Sequence, residues 1–297
     1  MRGSVAVLAL LLATGCGDGG GGGGDGGGGG DAGARPDGGG NGELGDGGFM
    51  EACKHIDLVI AVDNSSSMEE EKAALRDVAF PGFARALLDV AGGIDDFRVG
   101  VLDACPDPAS YHTRGVGGAC AFQSGQVWMD STSTALVDEF RCVGDIDSSD
   151  MNCTGSNDDE QPASAAAASL EAAWAGPGRP NAGFSRGNAL LVVVAITDED
   201  EQPTPDRSAQ QVYDRLVAAK GGDVRRVVFL GIGGTASCPA GAYGSADPAA
   251  KLRAVTDLFI TQQRGVWWDL CQGQLEQGLT QALATIEQAC QEFEPIP

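Results

Sequence analysis

Two histidines, His55 and His112, are all that 297 residues contain. No C-x-x-C pair occurs among the nine cysteines. These shortages leave zinc and haem sites without nitrogen and sulfur ligands at the spacings they need. Basic residues are scarce too: 19 Lys and Arg stand against 42 Asp and Glu, a net charge of −23. A chain this acidic is repelled by nucleic acid and by anionic lipid. The excess serves solubility and also suits a protein that attracts divalent cations. Long apolar runs are missing beyond the first residues, so no later stretch is expected to span a bilayer.

What is present begins with a targeting pattern. Arg2 supplies a positive start, Val5 to Leu12 an apolar segment and Ala13-Thr14-Gly15 a small-residue cleavage stretch. Cys16 follows directly. Leu12-Ala13-Thr14-Gly15-Cys16 resembles the bacterial lipoprotein signal, although Ala13 stands where leucine is commoner. The resemblance implies a signal peptide over 1–15 and a lipidated Cys16 at the mature N-terminus, with acyl chains as the membrane anchor. An ordinary cleaved signal is the alternative. Residues 16–48 continue as that cysteine and a Gly/Asp-rich tether. Leu44 is its only large apolar residue, so it has no surface to bury and is expected to be disordered. Its roughly 30 residues give a reach of about 30 Å.

Setting Cys16 aside leaves Cys53, Cys105, Cys120, Cys142, Cys153, Cys238, Cys271 and Cys290. An even set in an exported domain reads as disulfides. Pairing sequence neighbours suggests Cys105–Cys120, Cys142–Cys153 and Cys238–Cys271, with Cys53–Cys290 tying the two ends of the domain together.

Residues 49–297 suffice for one α/β domain. Strand patterns fall at His55 to Asp63, Phe97 to Asp103, Gln126 to Met129, Ala189 to Ile196, Val224 to Gly231 and Gly265 to Asp269. Helical patterns fall at Glu69 to Val90 (disturbed at Pro81), Leu136 to Phe140, Gln161 to Trp174, Ser208 to Ala219 and Asp247 to Phe259. In a last helix Leu275, Leu279, Leu283 and Ile286 share one face. Buried strands alternating with helices predict a doubly wound, mainly parallel, Rossmann-like sheet with helices on both faces. Ligands of such sheets sit beyond the carboxyl ends of the strands.

Two strand ends are acidic. The first is Val62-Asp63-Asn64-Ser65-Ser66-Ser67, where one carboxylate and two hydroxyls, Asp63, Ser65 and Ser67, can converge from a tight loop. All are hard oxygen ligands suited to Mg²⁺, Ca²⁺ or Mn²⁺. The second is Ile196-Thr197-Asp198-Glu199-Asp200-Glu201. The competing reading of the serines is helix capping. At these residues the chain, over about 51–292, resembles the von Willebrand factor A domain family. Asp63-Asn64-Ser65-Ser66-Ser67 matches its DxSxS metal-ion-dependent adhesion site, and Thr197-Asp198 its strand-end aspartate. Asn181-Ala182-Gly183-Phe184-Ser185-Arg186, followed by a buried strand, looks like the lipoprotein members found in myxobacteria.

The resemblance implies that Asp63, Ser65, Ser67 and Asp198 hold Mg²⁺, with Ca²⁺ or Mn²⁺ as alternatives. A loop threonine completes the family's set. Thr154 is the best candidate and Ser156 the second, in an altered sequence context. An open coordination position would take an acidic side chain of a protein or matrix partner. The extra acids Glu199, Asp200 and Glu201 depart from the family and could strengthen cation binding or hold a second ion. The expected role is a non-enzymatic adhesion or binding lipoprotein of the cell envelope, outer membrane by preference, on its periplasmic face or at the cell surface. The alternatives are a structural envelope component with a degenerate site, or a non-catalytic subunit presenting substrate to a separate enzyme.

Other motifs carry less. Gly183-Phe184-Ser185-Arg186-Gly187 fits GxSxG, but a nucleophile elbow needs a strand before it, and here the strand follows. Gly231-Ile232-Gly233-Gly234 fits a dinucleotide loop loosely, yet Ser237-Cys238-Pro239 follows in place of a helix. Asp145 to Asp150 lacks the glycine and final glutamate of an EF-hand and reads as solvated loop. Trp267, Trp268 and His55 read as structural.

Overall fold

The computed structural model describes residues 54–89, 96–146, 160–201 and 207–292. Its centre is a six-stranded sheet. The strands are β1 (His55–Val62), β2 (Asp96–Asp103), β5 (Met129–Asp130), β6 (Leu190–Ile196), β7 (Val227–Gly233) and β10 (Gly265–Asp269), in the order β10-β7-β6-β1-β2-β5. All neighbours are parallel except β5, which runs antiparallel along β2 with Arg98 opposite Asp130. This doubly wound α/β architecture is the one the A-domain resemblance implies.

The strands are apolar because both faces are covered. Every residue of β6 and β7 is buried. Successive side chains alternate between two cores. Ile56, Leu58, Ile60 and Val62 of β1 point into one, with Leu75, Phe80, Phe140 and Leu279. Val59 and Ala61 point into the other, with Val193, Phe229, Val212 and Phe259.

The first core is closed by α1 (Glu69–Ala74), α2 (Phe80–Asp89), α3 (Leu136–Val143) and α8 (Leu275–Gln291). The second is closed by α4 (Pro162–Ser169), α6 (Ala209–Ala218) and α7 (Ala250–Ile260); the short α5 (Ala172–Ala175) follows α4. All eight residues of α4 are buried, and its alanines let the helix lie close against the sheet. Pro81 has no N–H to donate, and the helix relaxes just before it into a π turn over Leu75–Ala79 that joins α1 to α2.

Several expectations change. The strand expected at Gln126 to Met129 is reduced to Met129–Asp130. The helix expected over Gln161 to Trp174 breaks between Ser169 and Ala172. Val224–Arg226 is a 3₁₀ turn, and β7 begins only at Val227. Two small hairpins, β3 (Arg114–Gly115) with β4 (Gly118–Ala119) and β8 (Cys238–Gly241) with β9 (Gly244–Ala246), have no clear sequence pattern.

The disulfides correct the neighbour rule. Cys238–Cys271 forms as expected. Cys120 bonds Cys142, which overturns both Cys105–Cys120 and Cys142–Cys153. The reason is tertiary: the β3–β4 hairpin packs on α3, where Gly115 lies against the Cys142 carbonyl, and this brings Cys120 to that helix. Cys105 and Cys290 are also disulfide-bonded. Cys53 and Cys153 lie outside the described residues, as do Cys16, the signal segment, the tether, Thr154 and Ser156. Disulfides fit an oxidising compartment. Among the described residues no helix is long and apolar enough to cross a membrane.

Candidate cation site at two strand ends

The register of β1 and β6 sets the site. Val62 lies opposite Ile196, and the Asp63 amide donates to the Ile196 carbonyl at 2.9 Å, so the two chains leave the sheet side by side. Asp63 and Asp198 are both nearly buried, at 1% and 2% exposure. Asp63 Oδ1 accepts from the Ser65 amide at 2.8 Å, and its Oδ2 from the Thr197 hydroxyl at 2.7 Å. The Ser67 hydroxyl donates to Asp198 Oδ1 at 3.2 Å, and the Ser65 and Ser67 oxygens are 2.8 Å apart. Asp63, Ser65, Ser67 and Asp198 therefore meet in one hydrogen-bonded chain. Ser66 and Ser67 are exposed, which leaves this cluster open on the solvent side.

The hydroxyls do not cap the helix that follows. The N-cap position of α1 is Met68, and no side chain caps it. Ser65 and Ser67 are turned instead towards each other and towards Asp198, which lies 131 residues from Ser67.

Negative charge accumulates here. Burial raises Asp63 above the ordinary carboxylate range despite its hydrogen bonds to Ser65 and Thr197. Burial first, then the neighbouring Asp63, pushes Asp198 up to about 6. Glu71, in the first turns of α1, is pushed up to about 7 by burial and then by Asp198, Glu70 and Asp63. Glu71 Oε2 is buried and has no hydrogen-bond partner among the described residues. The buried Lys72 is the cation that bears on Asp63, and its ammonium also donates to the Asn64 carbonyl at 3.3 Å. One ammonium beside three carboxylates leaves the cluster short of positive charge. The two strand-end carboxylates and two hydroxyls are hard oxygen donors of the kind a divalent cation takes, while Glu71 adds negative charge nearby without forming a three-carboxylate group among the described residues.

The sequence pattern marks neither Thr197 nor Glu71 as a site residue. Thr197 lay inside the strand-end motif. Glu71 had a weaker signal, a third acid in Glu69-Glu70-Glu71, and only packing shows that it turns inward. The acids after Asp198 have other work. Glu201 Oε1 accepts from the Ala163 amide at 2.8 Å and Oε2 from the Ser164 hydroxyl at 3.4 Å, so it caps α4. Its Oε2 also lies 3.7 Å from the Lys251 ammonium. Asp200 accepts from the Lys251 amide at 2.7 Å at the start of α7. Neither Asp200 nor Glu201 is turned towards the cluster as cation binding would require.

A third strand end is also acidic. Asp103 of β2 accepts from the Cys105 amide at 2.9 Å and sits 3.0 Å from His112 Nε2. The Asn181 to Arg186 stretch is structural and precedes β6, so Ser185 stands at the opposite end of that strand from Asp198. Buried Asn181 ties Ala109, Tyr111 and Ser169 together. Arg186 donates to Asp57 Oδ1 at 2.8 Å, and Lys220 reaches Asp57 Oδ2 at 3.1 Å. His55 lies 3.4 Å from Asp96. Asp145 accepts from Arg76 at 3.0 Å.

No protein-family model and no curated protein matches the sequence. Among solved structures, the chain is similar to proximal thread matrix protein 1 of the mussel byssus, at 14% identity and a TM-score of 0.42, covering 81% of this chain and 47% of that one. Another is the manganese-loaded TRAP protein of Plasmodium vivax, at 13% identity and a TM-score of 0.39, covering 82% of this chain and 76% of that one. This chain thus spans about half the length of the byssus protein.

Proposed function

We propose that this chain is a lipid-anchored, exported binding module of the von Willebrand factor A type that captures an acidic partner through a divalent cation. The single observation behind this reading is the orientation of Ser67. Its hydroxyl leaves the adjacent helix start uncapped and reaches the second strand-end carboxylate. Asp63, Asp198, Ser65 and Ser67 would hold the ion, and Thr154 remains the proposed loop ligand. Mg²⁺ suits a compact oxygen site that keeps some waters, with Mn²⁺ or Ca²⁺ as alternatives. When bound, the cation would supply positive charge to attract a carboxylate from a protein or matrix partner. The chain's own residues hold the ligands in place: Thr197 and the Ser65 amide fix the Asp63 carboxylate, and Ser65 aligns Ser67. Lipidation at Cys16 would place the module on the envelope, at the outer membrane, with the Gly-rich tether setting its reach.

Calorimetry on the purified protein tests the reading. Saturable Mg²⁺, Mn²⁺ or Ca²⁺ binding that is lost in Asp63→Ala supports it. Absence of binding, or binding unchanged by that substitution, ends it. One observation favours a second reading, a structural envelope component with a degenerate site. Among the described residues no three carboxylate, imidazole or thiol side chains group closely enough to hold an ion by themselves. Partner capture from envelope extract that persists in EDTA and in Ser65→Ala would favour that alternative.

A further inference from the structure

Although the protein is strongly acidic, three of its arginines line one open pocket of about 500 Å³, formed by the turn after β2, the α4–α5 segment and α6. Its wall includes Asp107, Glu171, Trp174, Arg179, Arg207 and Arg215. Three arginines and two acids thus share the lining. Arg215 Nε donates to Glu171 Oε1, which holds the Glu171 carboxyl below its ordinary range. That bond uses one nitrogen only. Arg215 Nη1 and Nη2 and Arg207 Nε are buried with no hydrogen-bond partner among the described residues. Burial and then the neighbouring Arg215 charge lower Arg207 from its usual value, while Glu171 partly offsets them.

Buried donors on a cation are among the most unfavourable groups to leave unpaired. A planar guanidinium fork matches the two oxygens of a carboxylate or phosphate. Trp174 adds a flat apolar wall beside these donors. We propose that this pocket binds a small oxyanion, carboxylate or phosphate, between Arg207 and Arg215. The inference is independent of the cation site, since no pocket residue belongs to that cluster.

Calorimetric titration of the full chain with benzoate and with inorganic phosphate, both in EDTA, tests it. At least one probe should bind saturably. Arg207→Ala should weaken that probe by roughly tenfold or more, the scale of a lost charge-assisted hydrogen bond. Glu171→Gln should tighten it, because the competing negative charge is removed while an oxygen remains to hold Arg215 Nε; a purely structural role for the pair would not produce that gain. Preference for benzoate assigns a carboxylate flanked by a flat group, and preference for phosphate assigns a phosphoryl group. Neither probe saturating by about 10 mM, an affinity near 3 kcal/mol, overturns the proposal. So does binding unaltered in Arg207→Ala while circular dichroism shows that variant folded.

Discussion

Asp198→Asn is expected to stabilise the protein without divalent cations and to abolish the stabilisation that cations bring. Asp198 is 2% exposed, and burial together with Asp63 raises it from 3.8 to about 6. At pH 7 its ionised form is therefore disfavoured in the folded state by about two pH units, at most about 3 kcal/mol. Asparagine removes that charge and keeps an oxygen for the Ser67 hydroxyl. In EDTA the variant should unfold at a higher temperature than the parent, by about 2–4 °C per kcal/mol for a domain of this size. A cation that binds the folded state alone adds about 2.7 kcal/mol at a hundred times its dissociation constant. The parent in Mg²⁺ should therefore rise by roughly 5–10 °C, and the variant should hardly move. Differential scanning calorimetry with and without MgCl₂ measures all four quantities. An equal Mg²⁺ shift in both proteins, or a variant less stable than the parent in EDTA, would refute the charge-crowding argument.

Ser65→Ala and Ser67→Ala should each weaken Mg²⁺ by roughly tenfold or more, the scale of a disrupted metal site, while the EDTA melting temperature changes little because neither hydroxyl caps α1; calorimetric titration and melting separate the two effects. Asp198, Glu71 and Glu201 all have folded-state values raised, to about 6, 7 and 7, chiefly by burial. Their stabilising contribution is therefore complete below the unfolded carboxylate range and lost as pH rises through about 6–7. Urea unfolding in EDTA should show stability increasing as pH falls from 7.5 to about 5, with the slope reduced in Glu201→Gln. Asp57→Asn should cost about 3–5 kcal/mol, because buried Lys220 and the half-buried Arg186 lose their shared carboxylate; a urea midpoint near the parent's would contradict this. Gly231→Ala places a methyl 2.1 Å from the Thr256 hydroxyl oxygen and 3.1 Å from the Trp267 ring, so it should lose about 1–3 kcal/mol in the same assay.

Much of the architecture is local and therefore legible in the sequence. The near-continuous apolar run of β1, interrupted only by Asp57 after His55, and the unbroken run of β6 announce strands buried on both faces, and an aspartate stands just beyond the end of each. The spacing of Leu275, Leu279, Leu283 and Ile286 fixes the buried face of α8. Short elements were less visible. β5 pairs through only two residues at a sheet edge, and α4 stops before its alanine-rich pattern does.

The sequence by itself determined that two acidic strand ends exist and that hydroxyls follow the first. Only the tertiary structure decided that β1 and β6 are neighbours in register, so that Asp63 and Asp198 share one cluster. It also decided where the neighbouring acids go. Glu71 turns inward, whereas Glu201 and Asp200 are drawn to the starts of α4 and α7. It set Cys120 against Cys142 in place of either expected neighbour, and it brought Arg179, Arg207 and Arg215 to one pocket. The physical reason is the same in each case. Strand and helix periodicity follows from residues within a few positions of one another. Partners across a sheet, a disulfide or a pocket are chosen by packing between segments far apart in the chain, and no local pattern encodes that choice.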